Sequence, residues 1–327
     1  MAKEQVFLGI DMDSVSIRGV RLSLDTDSGK SAKPVWKLLS VAELANVNNG
    51  SNFLDEAKAV SALKNLRENL KARPSDKVSI CLSGKQTYSV QMDTRRLPPD
   101  EMSGMLKLEL RKSIPFEAAA ATFDYQILPE ERSGRAADAA GVSVMIGVVA
   151  NSYLERQVNI FEKAGLPPCH VNVLPVSVAN AFWAAGEDEN ATPDETVLLL
   201  HLGADVCTLV IDGRRTPFFN RTFSFNISKA VSNSNTQESE EDMLSSMDIL
   251  AAEVAKSATY YKNSQRIDNI SSISVLGACA SHPALNELAK ITGYPVRVVQ
   301  TASLVQAEKP LEPGKYDLAI ALAMQAA

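Results

Sequence analysis

The sequence predicts an α/β protein made of two related halves that face each other across a cleft. At 327 residues the chain exceeds the size at which one hydrophobic core usually stops growing, so two domains are expected. Two segments, FLGIDMDSVSIRGVRL and LLLHLGADVCTLVI, each predict a strand, a polar turn and a second strand. Each is followed by a helical pattern and then by a short apolar strand that ends near a glycine, Gly84 or Gly277.

The first half is predicted to span residues 1–190 and to open on a β-hairpin. The second arm of this hairpin alternates Ile17, Val20 and Leu22 with Arg18 and Arg21, which is typical of a strand. The predicted elements are strands 6–10, 16–24, 35–44 and 77–82, helices 54–71 and 153–164, a strand 169–174 and a helix 176–185.

A small subdomain is predicted to interrupt the first half at about residues 86–141. Its elements are a strand 88–97, a helix 101–113 and two strands, 122–128 and 142–149, in that order. Pro98 and Pro99 end the first strand, because proline cannot continue a ladder of backbone hydrogen bonds. The apolar residues of the helix fall on one face, which is also the pattern that the core of the subdomain itself requires.

The second half is predicted to span residues 191–327 and to repeat the opening of the first. Residues 187–195 are polar and acidic and mark the boundary. Residues 226–242 are rich in serine and asparagine and predict a reduced covering subdomain over the cleft. The predicted elements are strands 197–202, 207–211, 217–225, 270–276 and 296–299, and helices from 243 to 261, 286–292 and 316–326.

Charge and hydropathy exclude several classes of function. A net charge of -6 argues against a general nucleic-acid binder, which carries a basic face. The apolar runs are shorter than the roughly 20 residues that span a bilayer, and the N-terminus has no signal-peptide pattern, so a cytoplasmic protein is expected. The histidines and cysteines have no metal-ligand spacing, and no metal site is predicted. A membrane helix after residue 327 stays open as an alternative.

Duplicated hairpins that face a cleft hold the phosphates of a nucleotide in the actin-like (ASKHA) fold. Turn amides and hydroxyls form concavities that bind anions, and an aspartate after the first strand can hold hydrated Mg²⁺. The candidate nucleotide-binding residues are therefore Asp11, Ser14, Ser16, Gly203 and Gly277. The alternative for Asp11, Ser14 and Ser16 is a hydrogen-bonded hairpin without a ligand.

Several segments carry a more specific likeness. They include RRLPPDEMSGMLKLELRKSIPFEAAAATFDYQIL, AGLPPCHVNVLPVSVANAF and SVLGACASHPALNELAKITGYPVRVV, which lie in different parts of the chain. On these segments the chain resembles the PilM family, actin-like proteins of the type IV pilus inner-membrane platform. The likeness extends over nearly the whole length, and in the family the first of these segments forms the inserted subdomain.

The resemblance implies a scaffold rather than a metabolic enzyme. PilM-like proteins bind the cytoplasmic N-terminal tail of a membrane protein, PilN, as an extended peptide in a groove associated with the inserted subdomain. Other pilus platform or motor proteins are implied as partners, with membrane association only through them, at the cytoplasmic side of the inner membrane. The implied groove residues are Met102, Met105, Leu106, Leu110, Tyr125 and Ile127.

The chain departs from the nucleotide-binding pattern of this superfamily at four positions. Asp13 stands where the first phosphate loop has glycine, and its side chain blocks and repels a phosphate. His201 replaces the aspartate of the second loop, Leu174 replaces an acid of the connecting strand, and Ala278 replaces a glycine of the adenosine loop. Phosphoryl transfer depends on metal positioning and charge stabilisation, so negligible ATPase activity is expected. No cofactor is expected to be required, and binding of ATP with Mg²⁺ stays open.

Three other hypotheses remain. The first is the cytoplasmic part of a type II secretion platform protein of the GspL type, which continues into a membrane helix. The second is an active ATPase or small-molecule kinase of the actin superfamily, against which the losses at Asp13, Leu174 and His201 count. The third is a nucleotide-dependent filament-forming protein.

Overall fold

A computed structural model describes residues 5–13, 16–25, 35–45, 55–129, 141–186, 195–203, 206–225, 239–277 and 279–327. The strands are β1 (Gln5–Met12), β2 (Ser16–Asp25), β3 (Val35–Ala45), β4 (Lys77–Leu82), β5 (Thr87–Arg95), β6 (Ala121–Ile127), β7 (Gly141–Ala150), β8 (Pro168–Val173), β9 (Thr196–Leu202), β10 (Val206–Gly213), β11 (Phe219–Ser224), β12 (Ile270–Leu276), β13 (Val296–Val298) and β14 (Val305–Gln306). The helices are α1 (Glu56–Asn69), α2 (Pro99–Ser113), α3 (Asn151–Lys163), α4 (Leu174–Ala185), α5 (Ser239–Gln265), α6 (Leu285–Thr292) and α7 (Asp317–Gln325), with 3₁₀ turns at Ala118–Ala120 and Thr301–Leu304.

The first half is built on a six-stranded sheet with the order β14-β3-β2-β1-β4-β8. β1 and β2 form the predicted antiparallel hairpin, whereas β4 and β8 join in parallel. Successive side chains of β1 point to opposite faces, as the pleat requires. Leu8 and Ile10 pack beneath α1 and α3, and Phe7 lies in a separate cluster on the other face.

The inserted subdomain is a three-stranded sheet with the order β5-β7-β6, covered on one face by α2. The predicted order of strand, helix, strand and strand is confirmed, with a last strand that extends to Ala150. Val144, Ile146 and Val148 of β7 point towards α2 and form the core with Leu106. The alternate residues of β7 therefore face away from α2.

The second half repeats the arrangement around a five-stranded sheet with the order β11-β10-β9-β12-β13. β9 and β10 form the second antiparallel hairpin, and β12 lies parallel to β9, as β4 lies parallel to β1. Helices α5 and α6 cover one face of this sheet. Helix α4 packs between the halves, where Val178 and Phe182 share a buried cluster with Cys81, Leu199 and Leu322.

The chain returns to the first half at its C-terminal end. β14 pairs with β3, and α7 packs against β1 in a cluster with Phe7 and Trp36. A Cβ on Gly9 would lie 1.8 Å from the carbonyl oxygen of Ala319, so glycine is needed for this close approach of α7. The predicted boundary places β14 and α7 in the second half, but β14 is a strand of the first-half sheet and α7 packs against that sheet. Sequence order alone does not reveal such a crossover.

The predicted boundary at 187–195 falls almost entirely outside the described residues, as does the predicted covering segment up to residue 238. Its last four residues, 239–242, lie in α5, which begins earlier than expected. Among the helices of the described residues, none combines the length and the apolar character that crossing a bilayer demands.

Candidate functional site

The turns of the two hairpins lie next to each other in the cleft between the halves. A Cβ on Gly203, in the second turn, would lie 3.9 Å from the Cβ of Asp13 in the first. The same position would be 3.9 Å from Cε1 of His201. The structure thus brings together the residues where the chain departs from the nucleotide-binding pattern, Asp13 and His201, as the duplicated hairpins require.

Both turns close on their own backbone. The N–H of Asp13 donates to the carbonyl of Ser16 over 3.0 Å, and the N–H of Gly203 donates to the carbonyl of Val206 over 3.1 Å. The two amides are therefore used inside the hairpins. Of the predicted nucleotide-binding residues, Ser14 lies outside the described residues, whereas Asp11, Ser16 and Gly203 line the two turns.

Arg18 is the feature of the cleft that the sequence analysis missed. It lies directly opposite Asp11 in the hairpin register, and its side chain has no exposed surface. Its Nε and Nη2 lie 3.2 and 2.9 Å from Oδ2 of Asp11, and Nη2 also lies 2.6 Å from Oδ2 of Asp13. Burial by itself lowers the pKa of the Arg18 guanidinium, but the carboxylates of Asp11 and Asp13 raise the pKa above its ordinary value. The guanidinium is charged.

His201 is buried beside this cluster. Burial lowers the pKa of its imidazole below the ordinary value, although the nearby carboxylate of Asp11 partly opposes this effect. The imidazole is therefore neutral at neutral pH. Its Nε2, Oδ1 of Asp11 and Nη1 of Arg18 are buried and have no hydrogen-bond partner among the described residues.

Two further positions of the predicted site have structural roles. Gly277 has a φ of +109°, and a Cβ there would lie 2.6 Å from the carbonyl oxygen of Leu202. Glycine is thus required to pack the end of β12 on the end of β9. Leu174, which stands where active relatives have an acid, is a buried apolar residue at the start of α4.

The actin-like fold implies a nucleotide with Mg²⁺ in this cleft, but the described residues do not fit that group. Asp11 is the carboxylate expected to orient a hydrated cation, and the guanidinium of Arg18 already binds it. A second carboxylate, that of Asp13, lies where the first loop would meet a phosphate, and the second loop offers neutral His201 in place of a carboxylate. The two carboxylates outnumber the one guanidinium, so the cluster keeps an excess negative charge that repels a phosphate.

A second candidate site is a groove of about 690 Å³ between the inserted subdomain and the first-half sheet. Five consecutive residues of β6, 122–126, and five of β8, 169–173, line it. A strand that presents a face contributes alternate residues, so consecutive residues indicate that each strand presents its edge. β7 contributes only Met145, Gly147 and Val149 and so presents the face opposite to α2.

Both strands that line the groove are edge strands. β6 ends the three-stranded sheet and β8 ends the six-stranded sheet, with no further strand beyond either one in the described part of the chain. Gln325, at the end of α7, also lines the groove and accepts a hydrogen bond from Nδ2 of Asn172 over 3.0 Å. Its Nε2 has no partner among the residues that the structure describes. The groove therefore combines an apolar floor with donors and acceptors along its sides.

The partner-binding residues predicted on α2 are not accessible from the groove. Met102, Leu106 and Leu110 are buried in the core of the subdomain, and Met105 packs against the same core. Their apolar stripe faces the β5-β7-β6 sheet, because that sheet would otherwise expose one apolar face. These residues support the subdomain and do not line this groove.

The predicted residues on β6 lie differently. Tyr125 lines the groove although its ring packs towards α2, and Ile127 is exposed but does not line it. In the strand register Asp124 is opposite Gly147 and Gln126 is opposite Met145, so these even-numbered residues share the groove-facing side of the sheet. The periodicity of β6 was visible in the sequence, but the side that meets a groove depends on the neighbouring sheet.

Comparison with known proteins agrees with this architecture. A search of curated proteins found no match to the sequence. A protein solved in a PilM-PilN type IV pilus biogenesis complex has a TM-score of 0.76 and 18% sequence identity, with 98% of each chain covered. A protein from Bacteroides thetaiotaomicron with an actin-like ATPase fold has a TM-score of 0.50 and 12% identity, with 98% of this chain and 95% of that chain covered. At these identities the likeness shows a shared actin-like fold.

The sequence also matches the model of one protein family. The sequence model of the type IV pilus assembly protein PilM matches residues 9–237, which include both hairpins and the inserted subdomain. This match confirms the resemblance that the sequence segments indicated. The chain belongs to the PilM family of type IV pilus assembly proteins.

Proposed function

We propose that this chain is a non-catalytic scaffold of a type IV pilus assembly platform that holds the cytoplasmic N-terminal tail of a PilN-like membrane protein. Membership of the PilM family supports a role in pilus assembly. A structural relative was solved as a PilM-PilN complex, which supports a PilN-like partner. In this proposal the tail lies extended in the groove between β6 and β8.

The observation that carries the proposal is the pair of open strand edges along one groove. An extended peptide adds to a sheet edge through main-chain hydrogen bonds, while its alternate side chains fill pockets. β6 has seven residues, enough for an extended contact of about 23 Å. The backbone of a tail that lies along β6 can thus form hydrogen bonds over the whole length of this strand.

The lining of the groove indicates which tails fit. Met145, Val149 and Val171 provide apolar surface for alternate side chains. Among the described residues that line the groove, only Asp124 has a carboxylate side chain. An extended tail with alternating apolar residues and no acidic residue near Asp124 is the ligand that suits this chemistry.

The proposal places the protein at the cytoplasmic face of the inner membrane, to which it is attached through partners. Other platform or motor proteins bind surfaces outside the groove. The tail anchors the scaffold, because its other end continues into a membrane protein.

Absence of catalysis forms the second part of the proposal. It is supported by the pairing of Arg18 with Asp11 and Asp13, and by neutral His201 in the second turn. Phosphoryl transfer needs a positioned metal and free charges around the phosphates. A malachite-green assay with Mg²⁺ and ATP is expected to give no release of phosphate above a protein-free blank, and robust Mg²⁺-dependent hydrolysis would refute this part.

The tail is tested by fluorescence anisotropy with the full chain. A labelled synthetic peptide of the N-terminal tail of the PilN-like protein from the same genome is titrated, beside a scrambled peptide of equal composition. Saturable binding of the native tail alone is expected. Equal binding of both peptides, or of neither, contradicts the proposal.

A further inference from the structure

Three hydrogen-bond donors of the first hairpin converge on the carboxylate of Asp13. The backbone N–H of Ser16 donates to Oδ1 over 2.7 Å, and the hydroxyl of Ser16 lies 3.5 Å from the same oxygen. Nη2 of Arg18 donates to Oδ2 over 2.6 Å. A backbone amide, a hydroxyl and a guanidinium are the donors with which proteins bind phosphates and carboxylates.

The side chains of Asp11, Asp13 and Arg18 are almost completely buried. The exposed fraction of the side chain is 0% for Arg18, 2% for Asp11 and 8% for Asp13. Asp11 already balances the charge of Arg18, and Asp13 adds a second carboxylate, which accepts from Ser16 and from Nη2 of Arg18. Without an oxygen in this position these buried donors would lose an acceptor, which is costly, so the position between Ser16 and Nη2 of Arg18 suits an oxygen acceptor.

We infer that the first hairpin is a complete oxyanion site whose permanent occupant is the carboxylate of Asp13 itself. The N–H and hydroxyl of Ser16 and Nη2 of Arg18, which a phosphate would need as donors, are already bound to an internal ligand. This accounts for the misfit between the cleft and a Mg-nucleotide. The inference concerns the cleft alone and does not depend on the binding of a tail.

The position of the Asp13 carboxylate, at the boundary between the two halves, indicates its role. Asp13 lies where the halves meet, since a Cβ on Gly203 would be 3.9 Å from the Cβ of Asp13. The carboxylate at this point gives the Ser16 and Arg18 donors of the first half an acceptor beside the turn of the second. With the anion built into the chain, the cleft stays assembled without a ligand from solution.

The inference specifies the class of ligand that the site takes once the carboxylate is removed. The donors and the buried cation of Arg18 remain, and they suit a small oxyanion. Acetate restores the missing group, and inorganic phosphate or pyrophosphate presents equivalent oxygens. Chloride, which cannot bridge the Ser16 and Arg18 donors through two oxygens, does not restore it.

The test is chemical rescue of Asp13→Ala in the full chain. Melting temperatures are measured in sodium chloride, acetate, phosphate and pyrophosphate at equal ionic strength. In chloride the variant is expected to melt several degrees below the parent protein. Acetate and pyrophosphate are expected to restore most of that loss with a saturable dose dependence, and to leave the parent protein unchanged. Asp25→Ala removes an exposed carboxylate that pairs with Lys37 and is expected to show neither effect.

A second variant keeps the test informative if Asp13→Ala does not fold. Asp13→Asn keeps the size of the side chain and an acceptor for Ser16 but removes the charge beside Arg18, so a smaller loss with rescue by the same anions is expected. If Asp13→Ala does not fold in chloride, its refolding yield in acetate against chloride gives the same readout. The inference is overturned if no oxyanion stabilises either variant beyond chloride, or if the parent protein is stabilised equally. Tail affinity is measured separately, because the groove is formed by other elements.

Discussion

The cleft and the groove differ in how far their polar groups are paired. In the cleft, Asp11, Asp13 and Arg18 pair with one another, and the amides of Asp13 and Gly203 close their own turns. In the groove, two edge strands present backbone that pairs with no further strand in the described part of the chain. The difference teaches where binding capacity remains: a region whose one guanidinium is already paired with two carboxylates offers little to an anionic ligand, whereas unpaired strand edges offer a ladder of hydrogen bonds.

The largest expected effect comes from breaking the charge balance of the cleft. Arg18→Met removes the cation and leaves the carboxylates of Asp11 and Asp13 buried beside each other. The free energy of unfolding is expected to fall by about 3–5 kcal/mol, because uncompensated buried charge is costly. Urea denaturation monitored by circular dichroism measures it.

The control is Lys37→Met, which breaks an ion pair whose side chains are 48% and 41% exposed. Exposed pairs contribute about 0–1 kcal/mol, so this variant is expected to stay close to the parent protein. Equal losses in the two variants would mean that the cleft cluster has no special role in the fold.

A substitution in the groove tests the other part of the comparison, which is the binding of the tail. A Cβ on Gly147 would lie 3.2 Å from Cγ2 of Val173, so Gly147→Val narrows the floor between β7 and β8. Tail affinity in the anisotropy assay is expected to fall about tenfold, which corresponds to roughly 1.4 kcal/mol. Gly104→Val is the matched control, because a Cβ there has no atom within 4 Å among the described residues. Unchanged affinity in Gly147→Val, or an equal loss in Gly104→Val, would count against the groove.

The smallest expected effect is a change in how the free energy of unfolding depends on pH, and it arises in the cleft. Burial lowers the pKa of His201 in the folded state, so below about pH 6.5 the unfolded chain binds a proton that the folded chain does not. The contribution of His201 to stability is therefore fully present above that pH and is lost as the pH falls, by at most about 1.4 kcal/mol per pH unit. Urea denaturation between pH 7 and pH 5 is expected to show a shallower decline in His201→Asn than in the parent protein. Identical slopes in His201→Asn and in the parent protein would contradict the account.

The secondary structure was largely predictable because its signals are local. Apolar alternation in 16–24 predicted β2, and the apolar spacing of 101–113 predicted α2 within two residues of its start. The location of α7 was not predictable, because its alanine-rich sequence is compatible with close packing on any strand. Only the structure shows that it lies on β1, beside Gly9.

The candidate sites were predictable in part. The departures at Asp13 and His201 were visible in the sequence, whereas the role of Arg18 was not recognised. A signal did exist: in a hairpin in which residues 12 and 17 pair, residues 11 and 18 stand directly opposite each other, so a cross-strand ion pair could have been derived. The groove could not have been derived in this way, because it lies between two sheets whose relative placement no local pattern encodes.

The central claim is that this protein binds its partner through the groove, and that the carboxylates of its cleft pair with Arg18 and not with a Mg-nucleotide. Amide hydrogen–deuterium exchange on the full chain tests it directly, with the tail peptide in one sample and millimolar Mg-ATP in another. The account predicts that the peptide slows exchange in Ala121–Ile127 and Pro168–Val173, and that Mg-ATP leaves Gln5–Met12 and Thr196–Leu202 unchanged. Protection of the two hairpins by Mg-ATP, with no protection of the groove strands by the tail, would contradict it.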